Sequence, residues 1–242
     1  MLRAVNPTFM LGGELEVRRL GFGAMRIVDD RDEGVRVLRR ALELGVTLID
    51  TADIYGAGAS EEIVADALHP YPEGIVIASK GGLGHGLQDR IRDGRPEYLR
   101  RACDASLRRL KLERIDLYQL HRHDPEVPIE ESVGALHELR EEGKIRLIGL
   151  SNVSLDQLRA AQAVARIVSV QNEFNRGLLM SDVVLQACES EGIAFIPWRP
   201  LGEGLRGPAF ELRWLLDHSP VILPIPGTSK VAHLEDNMRV VA

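Results

Sequence analysis

The feature that most restricts the fold of this 242-residue chain is an eightfold alternation of short apolar runs and stretches with helical spacing. The first run, RLGFGAM, precedes a helix expected over 30–44, where Val35, Val37, Leu38, Ala41 and Leu42 share one stripe and Gly45 stops it. Seven further strands are expected over 48–50, 75–80, 116–121, 147–151, 167–171, 193–197 and 221–225. Helices are expected after them over 60–68, 96–110, 129–142, 154–164, 181–191, 210–218 and 231–240. Strands without polar alternation suit a parallel sheet covered on both faces. Eight such units with right-handed crossovers predict an α/β fold closed into a (β/α)8 TIM barrel, which needs about 250 residues. An open doubly wound sheet is the alternative, but the fingerprint glycine turn after its first strand is missing. Ahead of the barrel, TFML and ELEVR across Gly12-Gly13 read as a β-hairpin. No linker or low-complexity stretch interrupts 1–242, so one domain is expected.

Composition narrows the partners. The apolar fraction of 45% is ample for a large core, and net charge is −6 with acids and bases interspersed. The densest basic run, 90–95, is broken by an acid and carries no aromatic residue, so it reads as a solvated loop and no nucleic acid is expected. Cys103 and Cys188 sit in helical patterns and read as small core residues of a reducing compartment. No apolar run approaches the ~20 residues of a membrane span, and the first twenty residues lack a secretory pattern. A cytoplasmic monomer is the expectation.

In such a barrel, chemistry gathers where strands end and βα loops begin. The strand ends supply Asp50, then Tyr55 on the following glycine-flexed loop, Lys80, His121, Ser151-Asn152, Gln171 and Trp198. Seven candidates in consecutive units can converge on one mouth. A phenol titrates near 10, so as a general acid at neutral pH it needs help releasing its proton. A buried ammonium beside the phenolic oxygen gives that help, and an aspartate keeps the ammonium charged. An imidazole facing the same point orients a carbonyl oxygen. The set suits protonation of an aldehyde or ketone oxygen while a hydride reaches its carbon.

The chain resembles the aldo-keto reductases over essentially its whole length. The resemblance runs from GFGAM through LIDTADIYG, VIASKGG, DLYQLHRHD, IGLSN, VQNEFN and PWRPLGEG to LPIPGTSKVAHLEDN. It implies Tyr55 as proton donor, Lys80 and Asp50 as its activating pair, and His121 as the substrate-orienting group. It implies NADP(H) as cofactor in preference to NAD and a small carbonyl compound as substrate. Ser151, Asn152 and Gln171 would grip the nicotinamide carboxamide, and Trp198 would stack on the ring. Gly23, Ala24 and Met25 would border the cofactor, and Leu201, Gly202 and Gly204 would let backbone reach the pyrophosphate. Gly227, Thr228, Ser229 and Lys230 would cradle the adenosine 2′-phosphate at the last helix's N-terminus, a setting that favours an anion on electrostatic grounds alone. Asn237 would meet the adenine. His233 stands where many members carry an arginine, which weakens the phosphate clamp.

Against the family, the seventh helix region looks shortened, and no C-terminal loop follows the last helix before Ala242; an open, shallow site is the expectation. Arg199 is unusual between Trp198 and Pro200, and would serve either a phosphate, an acidic substrate or only the solvated loop. Tyr55, Trp198 and Phe174 are the bulky aromatics expected near the mouth. Other readings stay open on the residues alone. Lys80 at a strand end also suits a Schiff-base lyase. His121-Arg122-His123-Asp124 offers alternating metal ligands, although zinc needs three or four at one point. A cofactor-binding barrel acting as a regulatory scaffold is the non-enzymatic alternative.

Overall fold

Prolines decide how the barrel closes. The computed structural model describes residues 7–85, 90–204 and 206–240, with every side chain there except those of His85 and Arg90. Leu205 of PLGEGLRG and the last two residues lie outside the described residues. The expected hairpin is present as β1 (Thr8–Leu11) paired antiparallel with β2 (Leu15–Arg18). Then follow β3 (Phe22–Gly23), α1 (Arg31–Glu43), β4 (Leu48–Asp50), α2 (Ala59–Leu68) and β5 (Val76–Gly81). A short antiparallel pair, β6 (Leu83–His85) and β7 (Arg90–Arg92), takes in the first half of the basic run 90–95 that the sequence reads as a solvated loop. The chain continues through α3 (Pro96–Leu110), β8 (Ile115–Leu120), α4 (Ile129–Glu141), β9 (Ile145–Ser151), α5 (Leu155–Gln162), β10 (Ile167–Gln171), α6 (Asp182–Glu191), β11 (Ala194–Phe195), α7 (Pro208–His218) and α8 (Val231–Met238).

Seven strands pair in parallel in the order β3-β4-β5-β8-β9-β10-β11. The eighth strand expected over 221–225 does not form as one. It makes a single bridge, Ile222 to Phe195. Phe195 N donates to Val221 O at 2.9 Å and Leu223 N to Phe195 O at 2.8 Å, while on the other flank Gly21 N donates to Pro224 O at 3.0 Å and Gly23 N to Pro226 O at 3.5 Å. Pro224 and Pro226 carry no N–H, so that flank can only accept, and the ladder closes the barrel without regular pairing. Arg19, nearly fully buried, locks the closure by donating to Ile222 O, Leu216 O and Ser219 O at 2.6 to 3.2 Å.

The barrel interior is filled by Leu48, Val76, Leu117, Leu147, Val168 and Leu223, and the hairpin plugs its lower end with Leu11 and Val17. Outside, each helix buries one stripe, such as Val37, Leu38 and Ala41 of α1 or Val133, Leu136 and Leu139 of α4. Cys103 and Cys188 are unpaired and buried, as expected. Ser154 and Gln157 form a reciprocal capping box at 3.2 and 2.9 Å that starts α5, a device that contributes about 1 kcal/mol. Phe174 corrects an expectation. It is fully buried under α7, 5.5 Å from the Phe195 ring and stacked on Trp214, and stands away from the mouth. Among the described residues no helix is long and apolar enough to cross a membrane.

Candidate active site

Parallel register brings three strand ends together. Asp50 ends β4, Lys80 lies on β5 opposite Gln119 of β8, and His121 follows β8 with its N–H donating to Gly81 O at 2.8 Å. The Lys80 ammonium is fully buried; it donates to Asp50 Oδ2 at 2.6 Å, to Thr51 O at 2.8 Å and to the Tyr55 hydroxyl at 3.4 Å. Burial alone would lower the Lys80 pKa, but the charge of Asp50 and the Tyr55 hydroxyl outweigh it and hold the ammonium above its ordinary value. The second Asp50 oxygen accepts from Gln171 Nε2 at 2.8 Å and Gln119 Nε2 at 3.2 Å. Asp50 therefore accepts three hydrogen bonds, which orient its carboxylate and hold the ammonium beside the phenol. The Tyr55 ring meets His121 edge-on, with centroids 5.9 Å apart at 86°.

Behind this cluster a second buried ionic group shapes the turn that carries Tyr55. Gly56, Ala57 and Gly58 all have positive φ, and at Gly58 a Cβ would lie 2.6 Å from the Arg109 side chain. Arg109 donates to Glu61 Oε2 at 2.7 and 2.6 Å, and Ser79 Oγ donates to Glu61 Oε1 at 2.5 Å. Ser60 ties the same helix start to Thr51 Oγ1 at 2.7 Å and to Ala24 O at 2.8 Å.

Asp53 lies between the two groups. Burial, and after it the charge of Glu61, push its carboxyl up to about 7 from the ordinary 3.8, and its buried Oδ1 has no partner among the described residues. The folded chain thus holds this proton more tightly than the unfolded chain. Below about pH 4 both states are protonated and stability is unaffected; as pH rises toward about 7 the unfolded state releases its proton first, so stability falls and then levels off. Asp53→Asn is expected to raise the urea midpoint at about pH 8 and leave it unchanged near pH 3. Equal midpoints for variant and wild type at the higher pH would contradict this.

Asp50, Tyr55 and His121 form the floor of a cleft of about 580 Å3. Lining it are Gly23, Met25, Asp50, Tyr55, His121, Ser151, Asn152, Gln171, Trp198, Arg199, Leu201, Gly202, Gly204 and Gly227, all singled out from the sequence. Gly23 and Gly227 pack backbone on backbone, and a Cβ on Gly227 would stand 2.6 Å from Gly23 O. Asn152 links three of these residues: it donates to His121 O at 3.2 Å and Ser151 Oγ at 2.9 Å, and accepts from Trp198 Nε1 at 3.0 Å. Arg199 is held on the surface by Glu173 at 3.1 Å and Glu203 at 3.4 Å. Lys80 lies beneath the floor rather than on it, and Ala24 is buried with its carbonyl engaged by Ser60. Thr228, Ser229 and Lys230 continue from Gly227 into α8, Thr228 Oγ1 accepting from Lys230 N at 3.1 Å; His233 is exposed and Asn237 buried. Asp124 of the HRHD stretch accepts from Gly94 N at 3.1 Å and Glu126 N at 3.0 Å, bracing the loop.

Gln119 escapes a reading confined to strand ends. Its signal is present all the same: a polar residue inside an apolar strand, two positions before His121 and so on the same face. Glu61 and Arg109 leave no local signal, being 48 residues apart.

The model of the aldo/keto reductase family matches residues 19–211. An uncharacterized oxidoreductase of Schizosaccharomyces pombe is 42% identical over 253 residues, covering 94% of this chain and 82% of that protein. Among solved structures, the glycerol dehydrogenase of Gluconobacter oxydans superposes with a TM-score of 0.89 at 29% identity, over 98% of this chain and 90% of that one. An aldo/keto reductase from Klebsiella pneumoniae in complex with NADP and acetate superposes with a TM-score of 0.84 at 27% identity, over the same shares. The chain belongs to the aldo/keto reductase family and is an NAD(P)H-dependent oxidoreductase.

Proposed function

We propose that the protein reduces aldehydes or ketones to alcohols, with NADPH as the reductant and Tyr55 as the proton donor. The observation that carries this reading is the Lys80 ammonium held 2.6 Å from Asp50 and 3.4 Å from the Tyr55 hydroxyl, just beneath the floor of a cleft that His121 also lines. When bound, NADPH supplies the hydride that reaches the carbonyl carbon. Tyr55 gives its proton to the carbonyl oxygen, and Lys80 stabilises the phenolate left behind. Asp50 keeps Lys80 charged, and His121 orients the oxygen.

The cleft fits that cofactor. Trp198 offers a flat wall beside Ser151 and Asn152, Gly202 and Gly204 adopt positive φ and present bare backbone, and the start of α8 with Lys230 offers donors and positive charge. Gln171 keeps its oxygen and one amide N–H for the cofactor, since the other N–H is engaged by Asp50. The Klebsiella structure, which holds NADP and acetate, supports the choice of NADP over NAD. The proposal includes one domain over 1–242 working as a cytoplasmic monomer on a small carbonyl compound, without nucleic acid. Net charge of −6 and two unpaired buried cysteines support it.

Titration with NADPH is expected to quench Trp198 fluorescence, and Trp198→Leu is expected to remove that quench while Trp214, stacked 4.6 Å from His218, still emits. A titration giving neither quench nor heat would remove the cofactor assignment.

A further inference from the structure

Beside Trp198 the cleft adjoins a second cavity, of about 660 Å3, for which the reduction step itself has no use. Trp198 and Asn152, joined by their 3.0 Å hydrogen bond, stand on the boundary, and Arg122 lines both spaces. The cavity wall also carries Arg92 and His123. Arg122 and His123 are half-buried and Arg92 is exposed. Among the described residues neither guanidinium has a carboxylate within ion-pair distance. Among the described residues, the acids here are committed elsewhere. Glu173, on the same wall, is held by Arg199 at 3.1 Å, and both Asp124 oxygens accept backbone N–H groups.

The described residues of the cavity wall therefore carry surplus positive charge in a chain whose net charge is −6. A guanidinium is a planar fork of donors that matches an oxyanion, and in a partly dry wall the match is stronger than in water. Glu173, though paired, disfavours a dianion there, so a carboxylate suits the cavity better than a phosphate. Val153, Leu178 and Met180 supply the apolar wall that the rest of such a molecule needs.

The geometry points to a carbonyl substrate that bears a carboxylate, bound by Arg122 and Arg92 while its carbonyl sits at Tyr55 and His121. This rests on the carbonyl-reduction reading of the same site, and two measurements separate the two claims. The first compares kcat/KM for 4-carboxybenzaldehyde and 4-nitrobenzaldehyde with saturating NADPH. The ratio of the two is expected to fall by about tenfold or more in the Arg92→Met/Arg122→Met protein, and by a smaller factor in Arg92→Met alone. Intrinsic reactivity of the aldehydes cancels in that comparison. The second is calorimetric titration with benzoate and benzamide, which needs no turnover. Wild type is expected to bind benzoate more tightly than benzamide, with the preference lost in the double variant. An unchanged aldehyde ratio, or benzoate bound no better than benzamide, overturns the carboxylate site. If neither aldehyde is reduced, carbonyl reduction is the claim that fails and the benzoate titration alone decides the anion site.

Discussion

Tyr55→Phe is expected to lower kcat for carbonyl reduction by about a thousandfold while NADPH affinity stays within about threefold. The substitution deletes one oxygen and keeps the ring, so the edge contact with His121 at 5.9 Å survives. Lys80 is left with two short bonds, to Asp50 at 2.6 Å and Thr51 O at 2.8 Å, so no buried charge is orphaned. Stability should accordingly change little, and loss of rate can be read as loss of the proton donor. Single-turnover measurements with preloaded NADPH separate the chemical step from binding. A variant that keeps a tenth or more of the wild-type rate would take Tyr55 out of the mechanism.

Arg109→Met should cost about 3–5 kcal/mol of folding stability, the usual penalty for removing one partner of a buried ion pair. Glu61 is fully buried and Arg109 only a quarter exposed, so water cannot readily replace the lost guanidinium. Ser79 would remain as a single neutral donor to Glu61. Because Arg109 also packs against Gly58, the turn that positions Tyr55 should loosen, and kcat should fall with stability. Glu61→Gln combined with Arg109→Met removes the stranded charge, and the double variant should recover part of the loss. Urea unfolding of the two single variants and the double reads this directly. A loss below about 1 kcal/mol for Arg109→Met would show that the pair is not holding the turn.

Much of the architecture was legible because its signals are local. The α3 boundaries match expectation at both ends, with Pro96 at the start, and β4 and β10 lie where their apolar runs predict. The closing segment departs from expectation for a physical reason visible in the sequence: apolar content over 221–225 predicts a strand, whereas Pro224 and Pro226 cannot donate to a ladder. Phe174, expected at the mouth as a bulky aromatic, is covered by the docking of α7, a long-range contact with no local signal. The Asp50, Tyr55, Lys80 and His121 cluster was readable because each member sits at or just beyond a strand end, where barrel geometry forces convergence. Gln171 illustrates what the sequence withholds, since its bond to Asp50 joins residues 121 positions apart.

The central claim is that hydride reaches a carbonyl carbon above the Asp50–Tyr55–Lys80–His121 cluster. The most direct test is incubation of an aldehyde with NADPH dideuterated at the nicotinamide C4, followed by mass spectrometry of the product. The account predicts an alcohol carrying one deuterium on the former carbonyl carbon, formed by the wild type and lost in Tyr55→Phe. An alcohol free of deuterium, or equal labelled product from both proteins, would contradict it.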